Sequence, residues 1–298
     1  MRWLFNILVY LSFVFLIIFL YKFDYLSLSQ VSFHWFTLMV SVVLLWAGFL
    51  MSTISWWNAL RVHEVDIRKS KAVESHGMAI FAKYIPGKIW VILGRASSVT
   101  MLGYSLKVTS FVSLKEQLIY VWLGLLISVI PIAVLQGFNY YVVLLIALIL
   151  FFSFILFSAW FHHRFLALLK RIFKKEFDIP LIKLKEVRSI FYYILVYWLL
   201  WMSAFYFFVR AITPGEEVAI NVAFGFPLSV TLGLLVIFLP GGLGVREAIL
   251  TGYLVSTGVP LEMATTISVI SRLWFITGEV FIFITALFIL KSRKMPAN

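Results

Sequence analysis

The sequence predicts an all-α polytopic membrane protein of six transmembrane helices plus two re-entrant, broken hairpins, arranged as an inverted repeat. Three observations carry this expectation. Of the 298 residues, 63% are hydrophobic and 13% charged, against roughly a quarter charged in ordinary globular chains, so only a bilayer supplies a solvent suited to the helix exteriors. Apolar runs near the ~20 residues needed to cross a membrane recur along the chain. Two Pro-Gly motifs interrupt stretches that are otherwise apolar.

The first run, Trp3 to Tyr21, follows Arg2 and lacks a small-x-small cleavage site, which predicts a retained span, not a signal peptide. Further spans are expected at about Phe33 to Leu60, Leu114 to Leu135, Tyr140 to Trp160, Ile190 to Val209 and Thr265 to Leu290. The 30 Phe, 13 Tyr and 11 Trp suit lipid contact and the headgroup level. No Cys is present, which excludes disulfides and thiolate chemistry. The five His, mostly assigned to loops, include no H-x-x-x-H pair, and no metal or other cofactor is expected. A net charge of +12 lies in short loops beside apolar spans, so it points to anionic lipid and membrane orientation, not to nucleic acid.

Lys and Arg mark cytoplasmic segments. Arg61, Arg68, Lys69 and Lys71 form one such group; the segment from Arg164 to Arg188 forms another; Lys291, Arg293 and Lys294 form the third. Both termini are therefore expected in the cytoplasm of a plasma (inner) membrane protein. Loops containing Glu216, Glu217 and Glu262 are placed outside. Parity then requires residues 76–113 to enter and leave on the cytoplasmic face and residues 218–261 to do so on the outer face. Residues 1–135 form a first repeat with the inner hairpin. Residues 136–298 form a second with the outer hairpin and a basic cytoplasmic loop at 161–188. Such opposed halves are the mark of inverted-repeat transporters, whose broken helices meet near the midplane.

Each hairpin breaks at a similar motif: Tyr84-Ile85-Pro86-Gly87-Lys88 in the first and Pro240-Gly241-Gly242-Leu243-Gly244-Val245-Arg246-Glu247 in the second. Pro removes a backbone donor and Gly admits left-handed dihedrals, so both sites should interrupt helix. Broken backbone at membrane depth survives only against protein or a wet cavity. Pro227 is expected to divide the limb from Val218 to Leu239.

Ionisable groups inside spans are costly and hence functional candidates. Arg246 and Glu247 open a short helix behind the Gly-rich break, where free N–H groups and a guanidinium favour a phosphate or carboxylate. Arg272 and Glu279, seven positions apart, share one face of the last span, and ion pairing of Arg272 with Glu247 or Glu279 competes with substrate contact. Lys88 and Arg95 follow the first break as Arg246 follows the second, with Arg95 placed near the inner mouth or the cytoplasmic headgroups. Lys115, Glu116 and Gln117 begin a span and are assigned to the interface. The substrate-binding candidates are thus Lys88, Arg95, Pro240, Gly241, Gly242, Gly244, Arg246, Glu247, Arg272 and Glu279. No hydrolytic triad, P-loop or dinucleotide fingerprint is present.

With these two motifs and Arg272, the whole chain resembles the lysylphosphatidylglycerol synthase transmembrane-region family. The resemblance implies a flippase-like membrane domain, and some members accompany glycosyltransferases that use polyisoprenyl phosphate carriers. Because the given residues end at Asn298, the expectation is the membrane region without the synthase domain. The expected function is translocation of an anionic or zwitterionic lipid, either a phospholipid or a polyprenyl-phosphate-linked sugar. The alternative is a membrane component of a polyprenyl-phosphate-dependent glycosyltransferase system, as an enzyme with Glu247 as base or as a scaffold. Expected partners are membrane lipids and a separate glycosyltransferase or synthase.

Overall fold

In an apolar solvent every backbone polar group must find its partner within its own segment, and helix is the local solution. The structure, a computed structural model, describes residues 33–85, 89–174, 181, 183–213, 215, 217–236, 239–242 and 244–292, and these are all-helical. The expected span from Trp3 to Tyr21 and the candidate Lys88 lie outside the described residues.

Among the described residues ten α-helices follow in order: α1 Trp35–Val62, α2 Lys69–Ala79, α3 Ile89–Thr100, α4 Leu106–Gln136, α5 Tyr140–Phe157, α6 Ala159–Phe173, α7 Leu184–Ile212, α8 Gly225–Leu235, α9 Val245–Ser256 and α10 Leu261–Ser292. Short 3-10 turns at Ile80–Tyr84, Ile220–Phe224 and Pro240–Gly242 join the pieces of the two hairpins. Helices α1, α4, α5, α7 and α10 are long and apolar enough to cross a membrane, and they coincide with five of the six expected spans. Exposed Trp35, Tyr140, Tyr141 and Trp160 sit at helix ends, as headgroup-level rings do.

Several boundaries differ from expectation. Helix α4 begins at Leu106, eight residues before the expected span, so Lys115 and Glu116 lie inside it and are buried. The interfacial assignment of Glu116 is therefore wrong. The basic segment after α5 is not a plain loop. Ser158 accepts a hydrogen bond from the Phe161 N–H at 3.3 Å and starts α6, whose apolar residues recur at helical spacing between basic ones. The limb from Val218 falls into a 3-10 turn at Ile220–Phe224 and α8, and Pro227 sits in the first turn of α8, where its missing N–H has no partner to lose. Helices α2 and α8 have 11 residues each, and α3 and α9 have 12. At 1.5 Å per residue each spans about 16–18 Å, too short to cross.

The two series of elements match in length: α1 with α7 (28 and 29 residues) and α4 with α10 (31 and 32) complete the set. Their packing also comes in matching pairs. Helix α2 packs on α10 as α8 packs on α4, and α3 on α4 as α9 on α10; α1 and α7 pack on each other. Small residues allow the closest approaches. A Cβ on Gly48 of α1 would meet the Trp201 ring of α7 at 2.4 Å. Ser41 of α1 donates to the Ala204 carbonyl at 2.6 Å and accepts from Trp274 Nε1 at 2.9 Å, which ties α1, α7 and α10 into one junction. A layer of Phe49, Trp201, Phe205, Phe226, Trp274 and Phe275 fills the centre, with ring centroids 5.0–6.1 Å apart along its contacts.

Gly77 measures how tightly the first hairpin is held. A Cβ there would lie 2.5 Å from the Ile282 carbonyl oxygen and 2.7 Å from Ala286 Cβ on α10. Backbone cannot yield as a flexible side chain does, so Gly77→Ala is expected to destabilise by about 1–3 kcal/mol, the usual cost of overpacking. The check is the midpoint of heat-induced loss of the monodisperse peak in detergent. An unchanged midpoint would mean that α2 and α10 do not approach this closely.

Candidate functional site

The two breaks face each other. Tyr84, the last residue of the first 3-10 turn, lies against the second break: a Cβ on Gly241 would sit 3.2 Å from the Tyr84 ring. The second break can take this form only with glycine. Gly241 and Gly242 have φ of 58° and 71°, and a Cβ on Gly242 would meet the Gly233 carbonyl oxygen at 2.7 Å. Gly244, at φ 72°, leads into α9, whose first carbonyl acceptor is its own, bonded by the Ala248 N–H at 2.9 Å. Sequence candidates Gly241, Gly242 and Gly244 are thus explained by the turn they make, and Pro240 by the start of that turn.

Around this meeting point the helices bring together an array of buried charges. The Lys83 ammonium, one residue before Tyr84, donates to Glu279 of α10, and the Tyr84 hydroxyl donates to the same carboxylate at 2.9 Å. Glu279 is fully buried. It answers the first hairpin, not Arg272. Arg272 serves the second: its Nη2 donates to the Gly241 carbonyl at 2.7 Å, and its Nε lies 3.1 Å from Glu247 Oε1. That pair is a charge contact without hydrogen-bond alignment. One face of α10 therefore holds both breaks, at positions seven residues apart.

Arg95 of α3 does not reach headgroups; it is 1% exposed. Its Nη1 donates to Glu116 Oε2 at 2.7 Å and faces His76 Nδ1 at 3.3 Å, and its Nη2 donates to Ser113 Oγ at 2.7 Å. Ser55 of α1 donates to the other Glu116 oxygen at 2.8 Å, and the Trp56 ring covers the guanidinium at 4.5 Å. His76 is accordingly a buried helical residue, not an interfacial loop histidine.

Arg246 is different. It is 4% exposed, and its guanidinium carbon sits 5.0 Å from the Phe226 ring centroid and 4.9 Å from that of Phe275. Its Nη2 is buried and has no hydrogen-bond partner among the described residues. Cation–π contacts of this kind recover roughly 1–2 kcal/mol each when desolvated, far less than the several kcal/mol it costs to bury an ion. Both rings lie against the guanidinium, and Nη2 is left for an acceptor.

A cavity of about 150 Å³ lies among these groups, and Lys83, Arg95, Glu116, Gly241, Arg246 and Arg272 are on its wall. Of the sequence candidates, Arg95, Gly241, Arg246 and Arg272 reach this space, while Glu247 and Glu279 stand behind it as partners of Arg272 and Lys83. The sequence reading left Lys83 and His76 out of the site and assigned Glu116 to the interface. For Lys83 the signal was present: it lies three residues before Pro86, one helical turn ahead of the break. Glu116 was hidden by the misplaced start of α4.

The Lys83–Glu279 pair is the most direct bridge between the first hairpin and α10, and its removal is testable. Glu279→Gln strands an ammonium whose side chain is about a quarter exposed, so the cost is expected near 1–3 kcal/mol, below the 3–5 of a fully buried pair. Adding Lys83→Met should recover much of it. The check is a double-mutant cycle on thermal stability; strictly additive effects would show that the two side chains do not interact.

Among known proteins, the family described as Lysylphosphatidylglycerol synthase TM region matches residues 3–278. No curated protein and no solved structure matches the chain. A family match of that extent, on a chain with five described helices long and apolar enough to cross a membrane, means that this multi-pass membrane protein belongs to the lysylphosphatidylglycerol synthase transmembrane-region family.

Proposed function

We propose that the chain translocates a lipid with an anionic headgroup between leaflets, holding its phosphate at Arg246 in the cavity between the two breaks. The observation that carries this is the buried guanidinium with an unpartnered Nη2 beside a cavity lined by cations and aromatic side chains, set within apolar helices. Burial of such a charge is stabilised when an acceptor meets it, and a planar fork suits phosphate oxygens bidentately. The N-terminus of α9, at which Arg246 stands, adds a favourable dipole.

Alternating access follows from the two matched series. Their closely matched helix lengths and paired contacts, with α1 and α7 in mutual contact, suit two halves related by a two-fold pseudo-axis. Combined with the charge distribution, this supports an inverted repeat in a plasma membrane, with both termini cytoplasmic. Rocking of one half against the other would expose the cavity to each leaflet in turn. The transferase alternative lacks comparable support, since the Glu247 carboxylate faces Arg272 and is not on the cavity wall.

In proteoliposomes the wild-type chain should accelerate leaflet exchange of a fluorescent anionic lipid. Arg246→Ala should slow it about tenfold or more, as loss of a charge-assisted contact of about 1.5–3 kcal/mol implies, and Arg246→Lys should fall between, keeping the charge but losing the fork. Exchange by wild type no faster than in protein-free vesicles would remove the proposal.

A further inference from the structure

From the way charge is distributed around the cavity, we infer the chemical class of headgroup it takes: a single phosphodiester joined to an uncharged polyhydroxyl group. This rests on the lipid-translocation reading and narrows its substrate.

Consider first what the cavity can neutralise. Four described cations stand on its wall, Lys83, Arg95, Arg246 and Arg272. Three of them are held by carboxylates of the protein: Lys83 by Glu279, Arg95 by Glu116 and Arg272 by Glu247. Arg246 is the described one with no carboxylate within salt-bridge distance. An occupant carrying one negative charge balances it. A second charge, as on a phosphomonoester or a diphosphate, would have to draw a cation away from a buried carboxylate and leave that carboxylate uncompensated.

Consider next a headgroup that bears an ammonium, such as an aminoacyl or ethanolamine group. It would need a carboxylate, and the described one on the wall, Glu116, is already paired with Arg95, while Glu279 and Glu247 stand off the wall beside Lys83 and Arg272. Two of them have neutral donors as well: Ser55 donates to Glu116, and Tyr84 to Glu279. An incoming ammonium would thus meet four cations and no available acceptor charge. The cavity disfavours it by repulsion, which is how specific sites reject a near relative of their ligand.

The rest of the wall suits hydroxyl groups. Apart from His76, which is turned to Arg95, its remaining polar side chains are the uncharged Ser52, Gln117, Tyr120 and Tyr197. Trp201 and Phe275 supply aromatic surface beside them. Apolar and aromatic walls with a few neutral hydrogen-bonding groups are the usual form of a site that orients a compact polar ligand. A volume near 150 Å³, the size of an engineered cavity that takes benzene, fits a glycerol or a single sugar ring. Phosphatidylglycerol and a polyprenyl-phosphate hexose both satisfy this chemistry, and their tails distinguish them.

The test is equilibrium binding to the purified, detergent-solubilised full chain, read by titration calorimetry. Probes are short-chain phosphatidylglycerol, phosphatidylmethanol, phosphatidic acid, lysyl-phosphatidylglycerol, a short polyprenyl-phosphate hexose and its diphosphate counterpart. The phosphodiester with a neutral polyol, in the glycerol or the hexose arm, should bind about tenfold or more tighter than the phosphomonoester, diphosphate and lysyl probes, a step worth about 1.4 kcal/mol. The tighter of the two arms names the source. Arg246→Gln should abolish most of that preference. Gln117→Ala, a milder change at the wall, should weaken phosphatidylglycerol severalfold while leaving phosphatidylmethanol unchanged. Equal or tighter binding of the diphosphate or the lysyl probe would overturn the inference. Selective binding without any leaflet exchange in vesicles would uphold it and instead remove the translocase reading.

Discussion

A helix that stops inside an apolar layer leaves backbone groups and charged side chains that water does not reach, and they must satisfy one another. This constraint organises the molecule. The two Pro-Gly breaks are brought against each other, with Tyr84 on Gly241, and one face of α10 serves both. Glu279 receives the hydroxyl and ammonium of the first hairpin, and Arg272 donates to the opened carbonyl of the second. Aromatic rings and helix–helix contacts then close around the array and keep its dielectric low, which strengthens each pairing.

Against that background Arg246 stands out in energetic terms. The other buried cations are matched by carboxylates, so their desolvation is offset within the protein. Arg246 has the faces of two phenyl rings and the N-terminal end of its own helix, which is an unfavourable place for a cation. Its carbon-to-ring distances of 5.0 and 4.9 Å place it against both Phe226 and Phe275, whose centroids are themselves 5.5 Å apart. A charge positioned at such cost, at the edge of a cavity, is arranged for an acceptor that comes and goes. A structural staple in the same place would have been given a carboxylate.

Much of this was legible in the residues alone. Span positions followed from apolar run length, and the two breaks from Pro and Gly, because both signals are local. Arg246, Arg272 and Glu279 stood out because charge is rare in such surroundings. What was not legible depended on three-dimensional partnering. Glu279 was read as a possible mate of Arg272 from their shared face, yet Lys83 reaches it from nearly two hundred residues away in sequence. Arg95 was placed at the inner mouth or the headgroups, and Glu116 at the interface as part of a span's beginning. The early start of α4 and the packing of α3 on α4 bury them together. Helix α6 was taken for a loop because its charge masked the apolar spacing of Phe161, Leu168 and Ile172.

The central claim is that the two breaks meet around one cavity lined by buried cations. Because the chain has no cysteine, a Tyr84→Cys, Gly241→Cys double variant tests it directly in native membranes. Oxidation should produce an intramolecular disulfide, seen as a reducible mass loss of about two hydrogens on intact-protein mass spectrometry, since paired Cβ atoms lie about 3.5–4.5 Å apart in such bonds and a Cβ on Gly241 would lie 3.3 Å from Tyr84 Cδ1, an atom two bonds from the Tyr84 Cβ. A double variant that inserts and folds normally, yet forms no cross-link with oxidant or with short bifunctional thiol reagents, would contradict the account.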